Sequence, residues 1–172
     1  MAVIMPEEFQ ITEQNFRDTL SYYPTGVSAV CALWDNQPVG MTIGSFFSIS
    51  LDPPLVGLSV RQGSGTWPKI AEAGVFAVNV LAENQRHIAA ALAASGDDKF
   101  GDIGWHSGVT GSPLVEGSLA HVECVIDQTL PVGDHWIVVG RVVNLDTHPE
   151  ADHKVEPMLF YRRGYGTFEE RS

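Results

Sequence analysis

Between Leu119 and Leu145 the chain reads LAHVECVIDQTLPVGDHWIVVGRVVNL, two long apolar-rich runs around a Pro-Val-Gly-Asp turn signal. In the first run Ala120, Val122, Cys124 and Ile126 alternate with His121, Glu123 and Asp127, so one face is apolar and the other mixed. Gly133-Asp134 supplies the turn chemistry, and Leu119 to Leu130 with His135 to Leu145 read as an antiparallel hairpin.

The same period extends outward from this pair. Val27 to Trp34 is rich in β-branched and apolar residues, followed by a turn at Asp35-Asn36-Gln37-Pro38 and a second run from Val39. Leu55 to Val60 and Val75 to Leu81 repeat the strand signature between Gly, Pro and Asp clusters. Helical spacing is confined to three places. Thr12 to Tyr22 carries Phe16 and Leu20 ahead of Pro24 and Gly26, a short helix opens at Thr66, and Glu83 to Ala94 buries Ile88, Ala91 and Leu92. Strands outnumber helices and do not alternate strictly with them. The expected class is mainly β, an antiparallel barrel or sandwich with a few peripheral helices, rather than a doubly wound sheet. Ser95 to Pro113 and His148 to Glu156 read as loops inside one domain, residues 1–172, with about 12–168 forming the core.

Composition narrows the partners. The 172 residues hold 10 lysines and arginines against 21 aspartates and glutamates, a formal charge of −11. Nucleic acid and anionic membranes are therefore not expected partners. No stretch of ~18 apolar residues spans a bilayer, and Met1 to Gln10 shows no basic segment ahead of an apolar run. Cys31 and Cys124 stand far apart and suggest a reduced, cytoplasmic setting.

Three segments have the makings of a site. Thr42-Ile43-Gly44-Ser45-Phe46-Phe47-Ser48-Ile49-Ser50 sets hydroxyls and a glycine between two strand-like runs, with Ser48 and Ser50 on one face. It suits a planar, hydrogen-bonding ligand or an ordinary edge strand turned to solvent. Arg61-Gln62-Gly63-Ser64-Gly65-Thr66 runs from a strand into a helix start, where glycine N–H groups converge on an anion with Ser64, Thr66, Arg61 or Lys69 assisting. The alternative is a helix capped by Thr66 with no ligand. His135 opens a strand just after a Gly-Asp turn that does not itself require histidine. Neither a Walker sequence, a Gly-x-Gly-x-x-Gly fingerprint nor a Gly-x-Ser-x-Gly elbow is present. Cys31, Cys124, His121 and His135 lack the paired spacing of a zinc site, so no metal is expected.

The order and spacing of Pro38-Val39-Gly40-Met41-Thr42, Ser48-Ile49-Ser50-Leu51-Asp52-Pro53-Pro54-Leu55, Phe76-Ala77-Val78-Asn79-Val80-Leu81, Asp98-Lys99-Phe100 and Gly133-Asp134-His135 resemble the short-chain flavin reductase family. The likeness runs from Tyr23 to Gly166. It implies a split β-barrel of the FMN-binding, Greek-key type, usually a homodimer. It also implies an NAD(P)H:flavin oxidoreductase that reduces FMN or FAD with NADH or NADPH and releases the product to a separate oxygenase component. By this resemblance Thr42, Ser45, Phe46, Ser48 and Ser50 lie along the isoalloxazine ring, and Arg61, Ser64 and Thr66 hold the phosphate. Asn79, Lys99 and Phe100 stand near the flavin, while His135, Arg162 and Tyr165 match nicotinamide positions. His135 would position the nicotinamide, with no residue acting as acid or base. Gly44 and Gly63 depart from the pattern, standing where many relatives carry serine. Two rival readings are a flavin-retaining oxidase of the same fold, which Gly-Asp-His argues against, and a non-catalytic flavin or haem carrier or sensor.

Overall fold

The computed structural model describes residues 11–96, 98–147 and 155–168. Helix α1 (Glu13–Leu20) precedes five strands: β1 (Thr25–Gly26), β2 (Ser28–Trp34), β3 (Gln37–Ile43), β4 (Phe47–Leu51) and β5 (Pro54–Arg61). Helix α2 (Trp67–Ala73), β6 (Val75–Val80), a 3-10 turn at Glu83–Gln85 and α3 (Arg86–Ala93) follow. The chain continues through β7 (Trp105–Ser107), β8 (Pro113–Val115), β9 (Ala120–Val132), β10 (His135–Thr147), β11 (Leu159–Tyr161) and β12 (Gly164–Gly166). Most of the His148 to Glu156 stretch lies outside the described residues, as does Met1 to Gln10.

Seven strands form one antiparallel sheet in the order β3-β2-β6-β9-β10-β5-β4. The long hairpin is its spine, each arm 13 residues, with register shifts at Val139/Gly140 and Val142/Asn144 that bend it. The sheet curls until its two ends approach. Strand β4 covers β5 only from Pro54 to Gly57, so Leu58 to Arg61 have no strand on that side. There the Ser45 hydroxyl donates to the Ser59 carbonyl at 2.9 Å and accepts from the Ser59 N–H at 3.0 Å. A side chain, not a ladder, thus joins the segment after β3 to β5, and the barrel is split at that point.

Strand β2 has two insides. Val30 and Ala32 pack with Leu58, Ile70, Phe76, Val78 and Val138 in the barrel, while Ala29 and Cys31 pack with Leu81, Ile88, Leu92 and Met158 beneath α3. This explains why residues 29–34 read as an unbroken apolar run and not as an alternation. Fully burying side chains such as Phe76, Leu58 and Ile70 contributes ~1.5–3 kcal/mol each. Gly140 permits this packing, because a Cβ there would meet the Phe76 ring at 2.6 Å.

Three expectations shift. The first hairpin turns on Asp35 and Asn36 alone, at φ of 50° and 58°, and Gln37 and Pro38 already belong to β3, an edge strand that tolerates proline. The stretch from Ser95 to Pro113 contains β7, which pairs with β8. Helix α1 forms behind a Thr12–Asn15 capping box but buries none of its residues, leaving Phe16 and Leu20 exposed. It is tied instead to the β11–β12 turn: Arg163 pairs with Asp18, Arg162 sits over the Tyr22 ring, and the Arg162 N–H donates to the Ser21 carbonyl. No helix of the described residues is long and apolar enough to cross a membrane.

Candidate functional site

The split in the barrel opens on a cavity of about 920 Å³. One wall is the end of β3 with Gly44 and Ser45, and a second is Ser59 to Arg61 of β5. The turn Gly63 to Thr66, the end of α3 from Leu92 to Gly96, Lys99 and His135 complete the sides. Thr25 and Phe160 close it from the small sheet formed by β1, β11 and β12.

Cationic groups concentrate here. Arg61 and His135 are directly opposed in the β5–β10 register, the last pair of that ladder. The Lys99 ammonium donates to the Thr66 hydroxyl and the Leu92 carbonyl, both at 3.2 Å, and to the Gly40 carbonyl at 3.4 Å. It is thereby held at the C-terminal end of α3, where a positive charge is favoured. In the neighbouring turn the Ser64 N–H donates to the Arg61 carbonyl, while the N–H groups of Gly63, Gly65 and Thr66 have no acceptor among the described residues. Helix α2 has only seven residues, so its dipole adds little, and these donors with Arg61 and Lys99 make the turn ready for an anion.

His135 is fixed by its neighbour. Its Nδ1 lies 2.7 Å from Asp134 Oδ1, and this contact, with the charges of His135 and Arg61, holds the Asp134 carboxyl below its ordinary range. The ionised carboxylate accepts the Nδ1 proton and leaves Nε2 as the second ring nitrogen open to a ligand. Burial pushes the thiols of Cys31 and Cys124 up to about 12, so neither serves as a nucleophile. Among the described residues no group of three or more His, Cys, Asp or Glu side chains is arranged to hold a metal ion.

Of the residues singled out in the sequence, Thr42, Ser45, Arg61, Ser64, Thr66, Lys99 and His135 all line the cavity. Several of their hydroxyls are already engaged. Thr42 donates to the Ala89 carbonyl at 2.7 Å, Ser45 closes the split, and Ser64 accepts from the Trp67 N–H at 3.1 Å. Thr66 holds the N-cap position of α2 but makes no side-chain cap bond, and the Ser64 hydroxyl takes the first helical N–H instead. Phe46 lines an adjoining depression of about 370 Å³ with Tyr23, Pro24 and Phe47. Ser48 and Ser50 sit on β4, the sheet edge, and line neither space.

Asn79 is fully buried with its amide spent on the Ala29 and Pro113 carbonyls and the Val115 N–H, so it does not line the cavity. Phe100 is buried beneath α3. Arg162 and Tyr165 stand on the β11–β12 hairpin outside the cavity, though Tyr165 packs edge-on against Phe160 at 5.5 Å between ring centres. Sequence reasoning missed Thr25, Phe160 and the Ala93 to Gly96 rim, because no local pattern reveals which helix end meets which strand end. Gly44 and Gly63 differ in kind. A Cβ on Gly44 would meet the Thr25 hydroxyl at 2.7 Å, whereas one on Gly63 would meet nothing within 4 Å.

A family model for the flavin reductase like domain matches residues 20–169. The chain belongs to this family. It is 42% identical over 159 residues to a flavin reductase of Pseudomonas putida, covering 92% of this chain and 91% of that one. It is also 36% identical to the FMN reductase (NADH) SmoA of Agrobacterium fabrum, over 97% of this chain and 95% of the relative. Among solved structures, nitrilotriacetate monooxygenase component B from Mycobacterium thermoresistibile superposes with a TM-score of 0.87 at 38% identity, covering 91% of this chain and 87% of that chain. An NADH:FAD oxidoreductase of Streptomyces globisporus, solved with NAD and FAD fragments, gives a TM-score of 0.84 at 32% identity over 98% of both chains. The split-barrel architecture that the family resemblance implied is the one found.

Proposed function

We propose that this chain reduces FMN or FAD with NADH and releases the reduced flavin to a separate oxygenase component. The observation that carries the reading is the meeting, at one cavity, of an anion-ready turn and the His135 strand end. The N–H groups of Gly63, Gly65 and Thr66, with Arg61 and Lys99, suit a flavin phosphate in a chain whose net charge is −11. With the hydroxyls of Thr42 and Ser45 engaged elsewhere, the backbone from Thr42 to Ser45 is the surface offered to a planar ring.

A bound flavin supplies the redox chemistry, taking a hydride from the nicotinamide. The protein's task is to bind and align. Asp134 orients His135 so that Nε2 meets the nicotinamide nucleotide, and no side chain acts as acid or base. NADH is favoured over NADPH. Arg162 is engaged over Tyr22 and Arg163 with Asp18, and neither lines the cavity where it would meet a 2′-phosphate.

A homodimer belongs to the same reading. Directly paired residues share a face, and the rows Leu130–Ile137–Ser59 and Val132–His135–Arg61 carry the outer face of the sheet into the cavity wall. That face exposes Leu130, Val132, Phe47 and Ile49, an apolar surface suited to a second copy. The reading treats residues of about 12–168 as one domain in a reducing, cytoplasmic setting, which the free, buried Cys31 and Cys124 fit. Mixing the purified protein with NADH and excess FMN and following absorbance at 340 nm tests the activity. Oxidation that depends on FMN is expected. Flavin binding without oxidation of NADH or NADPH would leave a carrier and overturn the reductase.

A further inference from the structure

Gln62 lies one residue past the end of β5 and does not line the cavity. Its backbone N–H donates to the Asp134 carbonyl at 2.9 Å, extending the β5–β10 ladder by one bond beyond the Arg61–His135 pair. Its side-chain amide then reaches across the hairpin tip, donating to the Gly133 carbonyl at 3.3 Å and the His135 carbonyl at 3.2 Å. Three bonds from one residue thus grip three consecutive residues, Gly133, Asp134 and His135. The two sides of this grip are unequal. The Arg61 to Thr66 turn is anchored at its far end by the Ser64 cap on Trp67 and by Lys99 on Thr66. The tip is a two-residue turn with Gly133 at φ 59°, exposed and carrying apolar Val132 on its other flank.

We infer that Gln62 is a positioning residue for the nicotinamide nucleotide: it clamps the Gly133-Asp134-His135 tip to the turn that holds the flavin phosphate. The side-chain amide adds two bonds to the backbone bond and the Arg61–His135 pair that already join tip and turn, and so fixes how closely His135 is held toward the flavin. This rests on the proposed reductase activity, in which the cavity seats both nucleotides. Losing the amide removes two of the three Gln62 bonds and loosens the tip, while the backbone bond, the strand pairing and the phosphate turn stay in place. The cost falls on nicotinamide binding.

The test uses the full chain in steady-state NADH oxidation at saturating FMN, with FMN binding followed separately by fluorescence titration. Gln62→Met keeps the length of the side chain and removes both donors, and Gln62→Lys restores a donor. For the Met variant the KM for NADH is expected to rise ~5–10-fold, with kcat and the FMN Kd within about twofold of the parent. The Lys variant should recover most of that loss. An unchanged KM in the Met variant overturns the clamp. So does an FMN Kd that rises in step with KM, or a loss common to both variants that tracks a fall in melting temperature, since either marks general structural damage. If the parent itself fails to oxidise NADH, the reductase reading falls; an active parent with an indistinguishable Met variant removes only the clamp.

Discussion

A side chain at position 63 would enter open space, whereas one at position 44 would strike the Thr25 hydroxyl. The two glycines therefore predict different outcomes for the same change. Gly63→Ser adds a donor beside Arg61 and Thr66, and FMN affinity should tighten by roughly tenfold, about 1.4 kcal/mol and modest for a hydrogen bond to a charged group. Gly44→Ser must displace Thr25 and is expected to cost ~1–3 kcal/mol of stability without a matching gain in affinity. Fluorescence titration and thermal melting check both, and an unchanged Kd for Gly63→Ser would count against the turn as the phosphate seat. At this scale the sequence singled out seven residues that gather at the cavity, along with others such as Ser48, Asn79 and Arg162 that do not, and it did not reveal what the hydroxyls do. Thr42, Ser45 and Ser64 all line the cavity, yet each has found a protein partner. A hydroxyl's choice between ligand and backbone depends on which main-chain group of a strand or helix comes within hydrogen-bond reach, and that is a property of the fold.

Among the elements, the long hairpin was legible because its alternation and its turn lie within 27 consecutive residues. The stretch before it was not. Residues 104–118 are held by buried polar groups from distant elements: Asn79 takes the Pro113 carbonyl and the Val115 N–H, and Gln85 takes the Glu116 carbonyl. His121 contacts the Val115 carbonyl, and Glu123 accepts from the N–H groups of Val109 and Thr110. Such a segment carries no apolar rhythm of its own, so its order is invisible to periodicity. Asn79, which resemblance placed near the flavin, is one of these tethers. Burial pushes the Glu123 carboxyl up, but bonds from Thr110, Asn144 and Val109 outweigh it and hold the group below its ordinary value of about 4.5. Glu123→Gln should therefore lower stability by ~2 kcal/mol near neutral pH. A depressed pKa stabilises the fold above the ordinary value and loses its effect as pH falls through the lower one. The stability gap between the two proteins should accordingly shrink as pH falls below the ordinary carboxyl value and close once the lowered pKa is passed; a gap that persists into acid would assign the loss to packing.

For the molecule as a whole, charge and apolar surface set separate rules. An excess of 11 negative charges repels phosphate at long range, so affinity depends on donors within a few ångströms, and Arg61 and Lys99 stand at the cavity. The exposed outer face predicts that Leu130→Glu shifts the protein from twice 18.7 kDa to a single copy in light scattering. A parent that is already monomeric would reject the dimer. The balance of strands over helices and their antiparallel pairing were readable in advance, because local periods report them. The split was legible only through the family resemblance, since no local period reports where two distant strand ends fail to pair.

That split has a consequence for how the protein is made. The walls of the cavity are the strand ends left uncovered, β3 on one side and β5 beyond Gly57 on the other, bridged by Ser45. Another few residues of pairing would have sealed the barrel and filled this room with main chain. The space for a nucleotide is thus an unfinished portion of the sheet, vacated by architecture rather than carved out of a completed core.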